Sequence, residues 1–231
     1  MFLSAAGGTI TTALSALFFY LSRNQDAYQK LAHEIRSNFT SSTEIRGTAL
    51  AGCTYLRACI DEAMRLSPPA PGILWRDLAP DDDESQPFVV DGHVVPPHTI
   101  VGVNTYSLHH NEDYFPDAFA YRPERWLASS DFSPEEKKVM REAFAPFSVG
   151  PRGCAGKAMA YLECSLVMAR TLWYFDFEST AGELGEVGAG KVGLEDGRER
   201  RGEFQLYDTF SASHDGPYLT FVARGDFWKD L

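Results

Sequence analysis

Three observations on the sequence predict a mainly α-helical domain with small β-sheets. Apolar residues recur at helical spacing, as at Ala27, Leu31 and Ile35 among charged neighbours. A second helix is predicted over residues 50–66, because Pro68 and Pro69 come just after it and should stop it. Asp91-Gly92 separates two short apolar runs. This is a hairpin signal, because the pair supplies the positive φ angles of a type I′ turn.

Composition sets broad limits on the protein class. The chain has 231 residues, of which 44% are apolar and 23% charged, and this composition suits a globular core. With 21 basic against 32 acidic residues the net charge is -11, so we expect no nucleic acid partner. The four cysteines include no C-x-x-C pair, which argues against zinc ribbons and dithiol redox sites.

The first 22 residues carry no charge and leave two alternatives open, a membrane span and a buried helix. Serine, glycine and threonine dilute the segment, so that the apolar run is confined to Leu14–Leu21. A run of this length is typical of a buried helix, and we expect residues 1–22 to form one.

Four further elements follow from local patterns. Ser133-Pro134-Glu135-Glu136 has the cap, first-turn proline and returning acid of a helix start. Residues 157–175 are apolar on nearly every face, which predicts a helix enclosed by the core. Residues 182–202 are rich in glycine and charge and predict an exposed loop. Phe210–Ala223, with Asp215-Gly216 at its middle, predicts a closing hairpin.

The segment that carries chemistry is residues 147–156, directly before the apolar helix. Cys154 would lie where the loop enters that helix, and the positive helix end favours a thiolate there. A thiolate is a soft ligand suited to iron. Gly150 and Gly156 would let the backbone approach a flat macrocycle, while Phe147 would shield the sulfur from water. The open alternative is a buried structural cysteine.

Residues 147–156 resemble the haem-ligand loop of the cytochrome P450 family, the haem-thiolate monooxygenases. The family pattern F-x-x-G-x-R-x-C-x-G is matched at all its fixed positions. The resemblance implies that Cys154 is the axial ligand of haem b, iron protoporphyrin IX. Arg152 would pair with a haem propionate. The fold implied is the carboxyl-terminal half of the cytochrome P450 fold, truncated inside the distal helix, of which residues 1–22 are the remnant.

Two further matches imply a structural triad. Glu62-Ala63-Met64-Arg65 matches the family's E-x-x-R, and Pro123-Glu124-Arg125-Trp126 matches its P-E-R-[FW] segment. In the family, the acid and both arginines form a buried triad behind the haem, which here implies Glu62, Arg65 and Arg125. The alternative for Glu62 and Arg65 is an exposed helical pair worth about 0.2–0.5 kcal/mol.

Less specific positions carry weaker implications of the same resemblance. Arg76 lies where the family often places an arginine that pairs with a haem propionate. His109 occupies a similar family position before the P-E-R segment, with a surface histidine as the alternative. Thr9 aligns with the threonine that faces dioxygen, although Gly8 replaces the acid before it; the alternative is a helix threonine that bonds back to its own backbone. A hydroxyl donates a hydrogen bond there, but the carboxyl that would resupply its proton is absent.

The implied activity is insertion of one oxygen atom from dioxygen into a small apolar organic substrate. Electrons would come from NADPH-cytochrome P450 reductase or an equivalent donor. Family members are much longer, and a domain that starts inside a core helix exposes faces its partners should cover, so we expect a fragment. Its rivals are a non-catalytic remnant and, less favoured, a small membrane protein anchored by Met1–Leu21. The sequence carries no targeting signal of its own. The family suggests a location at the cytosolic face of the endoplasmic reticulum, through an anchor missing here.

Overall fold

The computed structural model of the chain describes residues 2–77, 87–96 and 98–230. Met1, at the start of the predicted helix, lies outside them. The helices are α1 (Phe2–Arg23), α2 (Gln25–Asn38), α3 (Gly47–Ala51), α4 (Thr54–Leu66), α5 (Thr105–His109), α6 (Pro134–Ala143) and α7 (Lys157–Tyr174). The strands are β1 (Ile73–Arg76), β2 (Phe88–Val90), β3 (His93–Val95), β4 (Val101–Asn104), β5 (Phe175–Ser179) and β6 (Leu219–Ala223). The predicted class, mainly α with small sheets, is confirmed.

Helix α1 is part of the core. Ala16, Leu17 and Leu21 are buried on it, and the helix packs against α4 and α7. Among the described residues, no helix combines the length and apolarity that crossing a bilayer requires. Ala16, Leu17 and Leu21 are thus covered by other elements of the same chain.

Local sequence signals define the ends of two helices. Before α6, the Ser133 hydroxyl accepts a hydrogen bond from Glu136 N at 3.1 Å, and Glu136 Oε2 accepts one from Ser133 N at 2.7 Å. This reciprocal pair is the capping box that the sequence predicts. Helix α4 ends at Leu66 because the residue before a proline is disfavoured in helical backbone angles, and Ser67 precedes Pro68.

Helix α7 differs from its prediction as a fully enclosed helix. Met168 and Leu172 are completely buried, but Met159 and Leu162 are 59% and 50% exposed on the same helix. The composition is apolar all round, yet the neighbouring elements cover only one side. An apolar sequence therefore sets which residues prefer burial, and the packing partners decide which are buried.

The small sheets are antiparallel pairs. In the described ranges β1 pairs with β4, β2 with β3, and β5 with β6. Asp91 and Gly92 have φ angles of 47° and 76°, which confirms the hairpin between β2 and β3. The hairpin predicted around Asp215-Gly216 is wrong, because β6 pairs with β5 rather than with the segment just before it.

The glycine-rich segment 182–202 is largely exposed, but two of its glycines are buried. Gly185 N donates to Gly182 O, Gly185 O accepts from the Arg23 guanidinium of α1, and Gly190 N donates to Glu203 O. The segment is therefore tied down at these points, and through Arg23 it contacts the helical core. The exposed-loop prediction therefore fails at Gly185 and Gly190 and holds for most of the other residues of the segment.

The main hydrophobic cluster joins α1, α2, α4 and α7. Its fully buried members include Leu31 and Ile35 on α2 and Leu56 on α4. A smaller cluster around Phe115 and Met140 packs beside it. Together they place the amino end of α7, and the loop before it, at the edge of the core.

We expect Leu172 and Leu162, two of the three leucines of α7, to differ sharply on truncation. Leu172→Ala removes a fully buried side chain and should lower the free energy of unfolding by about 2–5 kcal/mol. Leu162→Ala, the matched control on the exposed side, should change it by less than about 0.5 kcal/mol. Urea unfolding followed by circular dichroism measures both, and equal losses would contradict this assignment of the two sides.

Candidate functional site

The loop of residues 147–156 is closed by its own backbone. Cys154 N donates to Phe147 O at 2.8 Å, and Gly153 N donates to Gly150 O at 2.9 Å. Ser148 and Gly150 have φ angles of 57° and 68°, in the left-handed region. A side chain at position 150 would be strained, so glycine is the residue this turn requires.

Cys154 lies at the surface. It is exposed, whereas Cys53, Cys59 and Cys164 are buried. Any side chain at Gly156 would place its Cβ 3.7 Å from the Cys154 sulfur. The alternative of a buried structural cysteine is therefore wrong for Cys154.

Two arginines belong to the same region as Cys154. Arg76 ends strand β1, and its Nη2 donates to Ser148 Oγ at 3.3 Å although 72 residues separate them. Arg152 lies two residues before Cys154 and is exposed. The structure thus brings both arginines predicted to pair with propionates to the cysteine loop.

Phe147 lies on the inner side of the loop. Its ring centroid is 5.1 Å from that of Tyr161 on α7, and Lys157 Nζ lies 5.7 Å from the Phe147 centroid. The ring is partly buried. The ring therefore packs at the boundary between the loop and α7. That it limits water near the sulfur stays a prediction.

Glu62, Arg65 and Arg125 form a buried ion cluster, and the exposed-pair alternative is wrong. All three have between 0 and 2% of their surface exposed. Arg65 binds Glu62 through two bonds of 2.9 Å, and Arg125 Nε lies 3.0 Å from Glu62 Oε1. Trp126 Nε1 and Arg122 N also donate to this carboxylate at 3.0 Å, two contacts that sequence reasoning missed. Burial lowers the pKa of Arg125.

Arg65 also holds the segment that follows β4. Its guanidinium donates to the carbonyl oxygens of His109, Ala118 and Ala120 at 2.8, 2.7 and 3.2 Å. A single buried side chain on α4 therefore satisfies backbone acceptors across residues 109–120. Planar guanidinium groups suit this role because they present several donors in fixed directions.

His109 is a buried residue, and its alternative as a surface histidine is wrong. Its Nε2 accepts a hydrogen bond from Ala145 N at 3.0 Å, and Nδ1 lies 3.2 Å from Arg65 O. These partners fit a neutral ring that donates from Nδ1. Burial, with the charge of Arg65, lowers the pKa of His109 to about 3. His109 thus connects Arg65 to the chain just before the cysteine loop.

On α1, Thr9 is partly buried, and the space beside Gly8 is occupied. A Cβ at Gly8 would lie 2.7 Å from Ser211 Oγ. Sequence reasoning missed Thr12, which is buried and donates to Ala212 O at 3.0 Å. Residues 211 and 212 therefore lie against the part of α1 that contains the candidate threonine.

A cavity of about 410 Å³ lies away from the cysteine. Asn24, Lys30, Tyr121 and Glu124 are among its lining residues, and the lining includes none of the predicted site residues. Lys30 and Glu124 form an ion pair of 2.6 Å at its edge. This cavity therefore does not include the cysteine loop.

Removal of the Glu62 charge should be strongly destabilising. Glu62→Gln leaves Arg65 and Arg125 buried without their counter-ion, which should lower the free energy of unfolding by about 3–5 kcal/mol. Glu142→Gln is the control, since it breaks an exposed 3.9 Å pair with Lys138 and should cost less than about 1 kcal/mol. Comparable losses in urea unfolding would show that the buried cluster adds nothing beyond a surface pair.

Two buried imidazoles should make stability depend on pH. Burial lowers the pKa of His109 from 6.5 to about 3 and that of His110 from 6.5 to about 4. Below the ordinary pKa the unfolded chain binds protons that the folded chain does not. The free energy of unfolding should therefore be at its full value above that pKa and should fall as pH falls below it, by about 1.4 kcal/mol per pH unit for each imidazole.

The variant His110→Phe isolates one of these contributions. Phenylalanine keeps an aromatic ring against Phe119, which lies 4.8 Å from the His110 ring. Urea unfolding between about pH 6 and pH 4 should give a shallower slope for the variant, by about 1.4 kcal/mol per pH unit. Parallel slopes would mean that His110 is protonated in the folded chain.

Comparison with known proteins agrees with this geometry. The model of the cytochrome P450 family matches residues 1–186. The chain is 41% identical over 221 residues to the cytochrome P450 monooxygenase AKT7 of Alternaria alternata, covering 94% of this chain and 41% of that protein. It is also 41% identical over 221 residues to a cytochrome P450 monooxygenase of Gibberella zeae, covering 95% of this chain and 49% of that protein.

A third relative gives the widest coverage of the three. The cytochrome P450 monooxygenase apf8 of Gibberella fujikuroi is 41% identical over 229 residues, covering 96% of this chain and 58% of that protein. The chain thus spans between 41% and 58% of the length of these relatives. Because the family model covers most of the chain and the relatives cover nearly all of it, this chain belongs to the cytochrome P450 family, the haem-thiolate monooxygenases among the oxidoreductases.

Proposed function

We propose that the chain binds haem b through Cys154 and forms the haem-thiolate part of a monooxygenase. The observation that carries the proposal is the exposed residue Cys154, in a loop closed by its own backbone at the start of α7. The other three cysteines of the chain are buried. Cys154 is therefore the cysteine best placed to reach an external iron.

The residues around Cys154 fit a porphyrin in their chemistry. The sulfur supplies a soft anionic ligand, and the absence of a side chain at Gly156 keeps the space beside it open. Arg76 and Arg152 supply cations for the two propionate groups. The ring of Phe147 supplies an apolar boundary against water.

When bound, a thiolate-ligated haem supplies the activation of dioxygen for insertion of one oxygen atom into an organic substrate. The roles of this chain follow from its own groups. Cys154 holds the negative charge of the ligand, and Phe147 limits water at the sulfur. Arg76 and Arg152 neutralise carboxylates at the rim. Thr9 would donate a hydrogen bond from its hydroxyl on α1, where Gly8 offers no carboxyl to resupply the proton.

The partners that we propose for this activity are inferred from membership of the family. Cytochromes P450 in general take dioxygen, an organic substrate and electrons from a redox partner. For this protein we propose a small apolar substrate and NADPH-cytochrome P450 reductase or an equivalent donor. The proposed location is the cytosolic face of the endoplasmic reticulum. Glu62, Arg65 and Arg125 would serve a structural role behind the haem.

One observation favours a second function, a haem-binding stub without monooxygenase activity. Cys154 is exposed rather than enclosed by the other described residues. A substrate pocket needs walls on several sides, and the described residues supply few of them around the sulfur. Haem binding and turnover therefore need separate measurements.

The test of haem ligation is a spectrum of the 231-residue chain mixed with haemin, reduced and exposed to carbon monoxide. The wild-type chain should give a thiolate-type spectrum, and Cys154→Ala should lose it because the sulfur ligand is gone. Cys164→Ala is the matched control, since it removes a buried thiol of α7 that lies outside the cysteine loop, and it should keep the spectrum.

Two outcomes would contradict the proposal. Identical spectra for the wild-type chain and Cys154→Ala would remove the ligand assignment, and a chain that stays colourless with haemin would remove haem binding. Turnover of an apolar substrate with a reductase separates the two functions. Oxygen insertion supports the monooxygenase, whereas a thiolate-type spectrum without turnover supports the haem-binding stub.

A further inference from the structure

Tyr161 joins the cysteine loop to helix α4. It lies on α7, where its ring contacts Phe147 with centroids 5.1 Å apart. Its hydroxyl donates a hydrogen bond of 2.6 Å to Asp61 Oδ1 on α4. Tyr161 is 9% exposed and Asp61 is 8% exposed, so both groups of this bond are largely removed from water.

Arg57 completes the attachment one turn earlier on α4. Its Nε lies 3.2 and 3.0 Å from the two carboxylate oxygens of Asp61. Its guanidinium carbon lies 3.3 Å from the centroid of the Tyr161 ring. Burial raises the pKa of Asp61, and the charge of Arg57 opposes that rise. The Tyr161 side chain is thus held at both its ring and its hydroxyl.

Phe147 connects Tyr161 to the backbone of Cys154. Its ring rests on Tyr161, and its carbonyl oxygen accepts the 2.8 Å bond from Cys154 N. A change in the position of Phe147 therefore acts on the backbone bond that orients Cys154. Residues that support a metal ligand in this way tune its geometry and its surroundings.

We propose that Tyr161, anchored by Asp61 and Arg57, is a positioning residue that holds Phe147 and so fixes the backbone of Cys154. Its relevance to haem rests on the proposed ligation by Cys154. The effect of Tyr161 on the loop is a property of the chain without haem. Its effects on the loop and on haem binding are therefore measured separately.

The chain contains a matched control for this arrangement. The Tyr28 hydroxyl donates to Asp176 Oδ1 at 2.8 Å, and Arg36 Nη2 lies 2.6 Å from the same oxygen. The Tyr28 ring contacts Phe177, with centroids 5.0 Å apart, on the strand that follows α7. Tyr28→Phe thus removes a tyrosine–aspartate bond of the same kind away from the cysteine loop.

The first measurement is hydrogen exchange at the Cys154 amide in the haem-free chain. Tyr161→Phe keeps the ring but loses its anchor, and exchange at Cys154 should become about fivefold faster, the change expected for loss of one hydrogen bond. Tyr28→Phe should leave this amide at the wild-type rate. Equal rates at Cys154 in the wild-type chain and Tyr161→Phe would overturn the proposal.

Two variants of Asp61 test the anchor from its other end. Asp61→Asn keeps an oxygen that accepts the Tyr161 hydroxyl, so exchange at Cys154 should stay near the wild-type rate. Asp61→Ala removes the acceptor and should reproduce the faster exchange of Tyr161→Phe. Exchange at the wild-type rate in Asp61→Ala would also overturn the proposal.

The second measurement uses haemin, reduction and carbon monoxide, as for Cys154→Ala. Haemin affinity should fall about 10-fold in Tyr161→Phe, with a smaller share of the thiolate-type spectrum, and should not change in Tyr28→Phe. Wild-type affinity and spectrum in Tyr161→Phe would overturn its role in ligation. If the wild-type chain gives no thiolate-type spectrum, the proposed function fails, and exchange at the Cys154 amide still decides whether Tyr161 positions the loop.

Discussion

The buried charge of Glu62 is the constraint on which the arrangement around the cysteine loop depends. A carboxylate without solvent contact needs counter-charges and donors on both oxygens, and Arg65, Arg125 and Trp126 supply them. Arg65 then uses its remaining donors on three backbone carbonyls of residues 109–120. One acid on α4 thereby acts, through Arg65, on a long irregular segment that no described helix or strand beyond α5 organises.

This constraint reaches the cysteine loop through His109. The neutral imidazole of His109 accepts a hydrogen bond from Ala145 N. Phe144, the residue before Ala145, stacks on the imidazole ring with centroids 5.5 Å apart. On the other side of the loop, Phe147 rests on Tyr161. A loop with two left-handed residues and an exposed cysteine is held in place by side chains that are themselves buried. This support is what a ligand on the surface requires if it is to keep one direction.

Local signals predicted local structure well. The Ser133 cap and the Asp91-Gly92 turn depend on contacts within four residues, and both form as expected. The pairing of β6 was missed, since its partner β5 lies about 40 residues earlier and Asp215-Gly216 resembles a hairpin turn. Exposure along α7 was missed for a similar reason, because Met159 and Met168 are the same residue type and differ only in what packs against them. No pattern within the helix encodes that difference.

The sequence by itself predicted the chemistry proposed for the site, because cysteine, glycine and arginine at fixed spacing in one loop depend only on the chain order. It also determined that Glu62 and Arg65 share a helix face, since three-residue spacing brings them together. Only the tertiary structure decided that this pair is buried and that Arg76 reaches Ser148. Burial and long-range contacts depend on how separate elements pack, and that packing is a property of the whole chain rather than of any one segment.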